Sequence, residues 1–186
     1  MAHATARSGY RELVERLNRF PQGAPPSDLL YRILALLFSE REAGLVALLP
    51  VRPFTVETAA RAWKTTPDEA RKTLDALASR ALLIDAVRDG VETSWVLPPP
   101  MAGFFEFSMM RVRDDVDQEE LARLFYEYLN VEEDFVRELF TRGETQLGRA
   151  FVNEDALPAD EALHVLDWER ATEVARTARH AAVGVC

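Results

Sequence analysis

Residues Thr66 to Leu97 read TPDEARKTLDALASRALLIDAVRDGVETSWVL, and they decide the fold. Thr66 is an N-cap, Pro67 occupies the first helical position with its φ already set, and Glu69 stands three residues after the cap, which writes a capping box. Ala70, Leu74, Leu77 and Ala78 then recur at helical spacing and predict one buried face. The runs LLIDAV and VETSWVL that follow are strand-like. Arg88, Asp89 and Gly90 separate them, and Asp-Gly between alternating residues predicts a tight hairpin.

Upstream, FTVETAARAW offers Thr55 as N-cap and sets Val56, Ala59, Ala60 and Trp63 on one face of a short helix; KTT then turns the chain. Earlier still, Ser27 caps DLLYRILALLF, apolar on nearly every side and so expected at the centre of its domain. SEREAGLVALLP adds a short helical piece that Pro50 breaks. The order from Ser27 to Leu97 is helices followed by a hairpin, which resembles the winged helix-turn-helix domain. In that resemblance Thr55 to Lys64 is the second helix, Pro67 to Ser79 stands for the recognition helix, and Asp89-Gly90 is the wing tip.

On the N-terminal side, YRELVERLNRF places Tyr10, Leu13, Val14, Leu17 and Phe20 on one helical face, a docking helix that the linker PQGAPPS ends. On the C-terminal side, Pro98 to Pro100 mark a domain boundary. MAGFFEFSMMRVR is expected to lie against the first domain or a partner. Two capped helices follow, Asp117 with Glu120 and Asn130 with Glu133, and Gly143 stops the second. TQLGRAFVNED reads as an irregular connection, and a last helix runs from Asp167 and frays by Gly184. The expected class is mainly α with a small β-hairpin: a docking helix and linker over 1–26, a winged-helix-like domain over 27–100, and a helical subdomain over 101–186.

With 186 residues, 48% of them apolar, the chain has enough hydrophobic material for a folded core. Its longest apolar runs fall far short of a membrane span and the N-terminus has no apolar signal core, so a soluble cytoplasmic protein is expected, with no membrane partner. A single cysteine forms no internal disulfide. The net charge of -9 argues against a protein whose main business is holding nucleic acid, because Lys and Arg supply most of that affinity.

Around the recognition-helix equivalent, Asp68, Glu69, Arg71, Lys72, Asp75 and Arg80 give three charges of each sign. Arg61, Lys64 and Arg88 add to the cations, while Glu57, Asp85, Asp89 and Glu92 oppose them. A DNA-binding transcriptional regulator would use Thr66, Arg71, Lys72 and Arg88; the mixed charge instead favours a packing or protein-interaction module. EEDF and DQEE are explained by capping. His3, His164 and His180 are far apart, and no metal-ligand spacing, phosphate loop or nucleophile motif is present, so no enzyme active site is expected. Phe104, Phe105, Phe107, Met109 and Met110 form a stripe suited to a core, an interface or a small-molecule pocket.

The succession of this winged-helix region, LPPPMAGFFEFSMMR, LFYEYL and a helix leading into AVGVC is similar to the N-terminal part of bacterial 4Fe-4S ferredoxin-type iron-sulfur proteins. PPPMAGFFEFSMMR is the distinctive string. The resemblance implies that Cys186 is the first cysteine of a cluster-binding stretch, that this chain is a piece cut as that stretch begins, and that the full-length protein carries a 4Fe-4S cluster. With every further cysteine absent, no cofactor is expected in this chain itself. Its implied role is that of a non-catalytic module in electron transfer, docking a protein partner or its own C-terminal ferredoxin-like domain, with homodimerisation as an alternative.

Overall fold

Helix α2 (Asp28–Leu37) is the centre of the fold. The Ser27 hydroxyl accepts from the Leu30 amide at 3.1 Å, and Leu30, Ile33, Leu34 and Leu37, spaced to share one face, are all buried. Each such side chain contributes roughly 1.5–3 kcal/mol by leaving water. This computed structural model describes residues 8–20, 22–110, 112–141 and 168–180. They divide between two compact units, one with residues 8–141 and one with helix α9 (Trp168–Thr177).

The first unit is mainly helical with one two-stranded antiparallel sheet. Helix α1 (Ser8–Leu17) buries Tyr10, Leu13, Val14 and Leu17, the face expected of a docking helix, and it lies along α3 (Glu40–Ala47). The helices cross where Gly9 meets Gly44: a Cβ on Gly9 would stand 2.5 Å from the Glu40 carbonyl. Two polar groups fasten α1. The Tyr10 hydroxyl donates to the Phe38 carbonyl at 2.8 Å. The Arg16 guanidinium, fully buried beneath the Phe20 ring, donates to the carbonyls of Leu49 and Pro50 at 3.3 and 2.5 Å. Burial, with the Arg19 charge adding to it, pulls Arg16 down to about 10.

Helix α4 (Val56–Trp63) buries Val56, Ala59 and Ala60, and α5 (Pro67–Ser79) buries Ala70, Leu74 and Leu77, as the spacing predicts. Thr55 departs from expectation: its backbone is extended but its side chain makes no cap hydrogen bond. A complete capping box stands at the start of α3, where Ser39 and Glu42 satisfy each other's backbone amides. The hairpin is β1 (Ile84–Arg88) and β2 (Val91–Val96), with Ile84 opposite Val96 and an irregularity between Ala86 and Arg88. Gly90 takes the left-handed position of the turn at φ +72°. Just before α4, Phe54 bridges to Trp95 in antiparallel fashion, a third short piece of extended chain beside β2.

Pro98 to Pro100 lead into a π-helical turn, Pro100–Phe104, and then into α6 (Phe105–Met109). Core residues on both sides of the prolines, from Tyr10 to Leu139, belong to one cluster. The Asp117 carboxylate caps α7 (Gln118–Tyr126), accepting from the Glu120 amide at 3.0 Å. Asn130 does not cap the next helix. It lies in a second π-helical turn, Glu127–Val131, and its side chain donates back to the Tyr126 carbonyl; α8 (Asp134–Thr141) starts four residues later. The expected stop at Gly143, the connection after it, Asp167 and the fraying at Gly184 lie outside the described residues.

Candidate functional site

The face formed by α5 and the hairpin holds the residues of the DNA-binding alternative. Thr66 is exposed at the α5 N-cap, its hydroxyl accepting from the Glu69 amide at 3.3 Å. The Glu69 carboxylate accepts from the Thr65 hydroxyl, and the Thr66 amide holds it as well. Arg71 and Lys72 are both exposed but differently engaged. The Arg71 guanidinium lies 5.2 Å from the Trp95 ring centroid, a cation–π contact, in the field of Glu57 and Glu92. These two carboxyls hydrogen-bond to each other. That raises Glu92 above its ordinary value, while Glu57, held first by its own backbone amide, is lowered. Sequence alone did not suggest this carboxyl pair, since its members lie on α4 and β2.

Arg80, counted in the sequence among the α5 cations, faces away from this surface. It pairs with Glu42 of α3 and reaches the Leu37 carbonyl at 3.5 Å. The exposed charges left along α5 are Asp68, Glu69 and Asp75 against Arg71 and Lys72, so acid outnumbers base. Arg88 is exposed at the hairpin turn. The hairpin is also apolar outside, with Val87 70% and Val91 62% exposed.

The Phe/Met stripe divides. Phe104 and Phe105 are core: Phe104 meets Phe38 edge-on at 6.3 Å, and Phe105 touches Phe104 and Phe125 at 4.8 Å and Tyr128 at 6.1 Å. Phe107 and Met109 are half-buried and Met110 is exposed. Its two buried rings thus pack on Phe38, the C-cap of α2, and on Phe125 of α7, against the first domain, one of the two places expected for it.

Cys186 lies outside the described residues, as do His3 and His164; His180 is exposed. Among the described residues no group of three or more His, Cys, Asp or Glu side chains could hold a metal ion. One cysteine in the whole chain does not fit a 4Fe-4S cluster, which several thiolates hold. No described helix is long and apolar enough to cross a membrane.

A cleft of about 410 Å³ opens between α3, the end of α4 and α5. Arg41, Lys64 and Lys72 line it, one cation from each element, together with Glu69. The Trp63 indole forms part of the wall and is fixed there, its Nε1 donating to the Leu45 carbonyl at 2.7 Å. Lys64 is held in the left-handed conformation at φ 54° as the α4 C-cap. Arg41 escaped the sequence reading because nothing in its own segment says that α3 lies beside the α4–α5 turn. No protein-family model, curated protein or solved structure matches this chain.

Proposed function

We propose that this chain is a non-catalytic docking module built on a winged-helix scaffold and belonging to an iron-sulfur protein of the 4Fe-4S ferredoxin type. The winged-helix part is supported by the order α2, α3, α4, α5, hairpin, and by the Phe54–Trp95 bridge, which sets a short extended piece beside the hairpin just ahead of α4. The iron-sulfur part is supported by the likeness of PPPMAGFFEFSMMR.

The observation that carries docking over DNA binding is the face of α5 and the hairpin. It presents three acids against two bases along the helix, engages Arg71 with Trp95, and bares Val87 and Val91 beside it. A duplex surface demands cations along such a face; a protein surface accepts mixed charge with an apolar centre.

Two measurements test the reading. The gene product that carries this chain, isolated anaerobically, is expected to contain iron and sulfide and to lose part of both on Cys186→Ser; a colourless, iron-free product removes the iron-sulfur assignment. Titration of the chain with random-sequence duplex DNA at low salt is expected to give no saturable binding. Tight binding abolished by Arg71→Ala and Arg88→Ala would restore the regulator.

A further inference from the structure

We propose that the cleft between α3, the end of α4 and α5 binds a small phosphate-bearing anion. The inference goes beyond the docking role and does not depend on the iron-sulfur assignment. In a chain of net charge -9, three cations from three separate elements converge on one concavity, and none of Arg41, Lys64 and Lys72 forms a salt bridge among the described residues. Against them stands one carboxylate in the wall, Glu69. Hydrogen bonds from the Thr65 hydroxyl first, and from the Thr66 amide next, keep it below the ordinary carboxylate value, so the wall carries a net charge of two positives at neutral pH.

The shape and the donors select the ligand class. At about 410 Å³ the cleft is of the size that takes small molecules, roughly 300–1,000 Å³. Two ammonium groups are point charges suited to phosphate oxygens, and a guanidinium adds a planar fork that meets two of them at once. A single carboxylate would compensate only part of this charge; a phosphoryl or pyrophosphoryl group matches it. The site is also partly pre-formed. The indole of Trp63 is anchored to α3, and the backbone carrying Lys64 is set by hydrogen bonds from its amide to the carbonyls of Ala60 and Arg61, so little ordering remains for the ligand to impose.

The test is calorimetric titration of the full chain with pyrophosphate at low ionic strength. Saturable one-to-one binding that weakens as salt is added is expected. Lys64→Gly is the informative variant: it removes a cation from the cleft at a position whose left-handed backbone glycine adopts without strain. It is expected to raise the melting temperature and yet bind about tenfold more weakly, the factor that about 1.4 kcal/mol represents. Lys72→Gln is expected to weaken binding by a similar factor and Glu69→Gln to strengthen it, while Arg88→Gln, at the hairpin turn, leaves it unchanged. The proposal is overturned if the wild-type chain shows no saturable binding at millimolar pyrophosphate, or if Lys64→Gly and Lys72→Gln bind as wild type. It is equally overturned if Arg88→Gln weakens binding as much as they do, or if the cleft residues prove to be needed for duplex DNA and not for pyrophosphate.

Discussion

Phe54 and Trp95 exchange both of their backbone hydrogen bonds, at 2.9 and 2.8 Å, and so tie the entry to α4 to the second strand of the hairpin. Trp95 is fully buried, and its indole Nε1 finds no partner. Trp95→Ala is therefore expected to cost about 3–5 kcal/mol in a urea titration. Trp95→Phe should cost much less, because it removes a buried donor whose missing bond carries a penalty of about 1–3 kcal/mol. Equal losses for the two would mean that the donor is satisfied in solution.

The crossing of α1 and α3 makes opposite predictions for its two glycines. Gly9→Ala sets a methyl 2.5 Å from the Glu40 carbonyl and 3.0 Å from the Gly44 nitrogen, so the helices must part, at a cost of about 1–3 kcal/mol. Gly44→Ala meets nothing nearer than the Gly9 Cα at 3.7 Å. Its better helix propensity should stabilise by up to about 1 kcal/mol. Thermal melts of the two variants decide whether the crossing is as close as described.

Ala81 ends α5 with φ 58°, and the next amide, that of Leu82, reaches back to the Leu77 carbonyl at 3.1 Å. This is the position at which glycine closes a helix. Ala81→Gly is expected to raise stability by about 0.5–1 kcal/mol, read as a higher urea midpoint with an unchanged slope.

Glu42 supplies a pH dependence. Partial burial works against its charge, but the Ser39 amide and hydroxyl and the Arg80 guanidinium outweigh it and hold the folded carboxyl below 4.5. A lowered folded value means that stability from this group is complete above about pH 4.5 and is lost as the pH falls through the folded value. The Glu42→Gln variant should consequently show a shallower decline in its urea midpoint below pH 4.5 than the wild type does.

Local signals in the sequence carried most of the secondary structure. Thr66 and Asp117 cap the helices expected of them, and Asp89-Gly90 turns the hairpin. What stayed hidden depends on distant partners. Phe54 gives no strand signal because a single bridged residue has no period; the Ser39–Glu42 box, by contrast, is local, and its spacing is written in the sequence. Arg16 reads as a solvated charge and is buried, because the carbonyls that receive it end a helix more than thirty residues away. At the candidate site, Arg71 and Lys72 look like one basic pair. Adjacent residues differ by about 100° around a helix, and here one meets Trp95 while the other borders the cleft.

The seating of Arg16 bears on how the molecule can be divided. A shortened chain beginning at Ser27, the natural cut if the helices and hairpin after it were self-sufficient, would lose the guanidinium that donates to the Leu49 and Pro50 carbonyls. It would also open to water the trough that Tyr10, Leu13, Val14 and Leu17 fill. Such a fragment is expected to be sticky and poorly soluble. Work on any partner of the hairpin face is best served by polypeptides that retain the first helix.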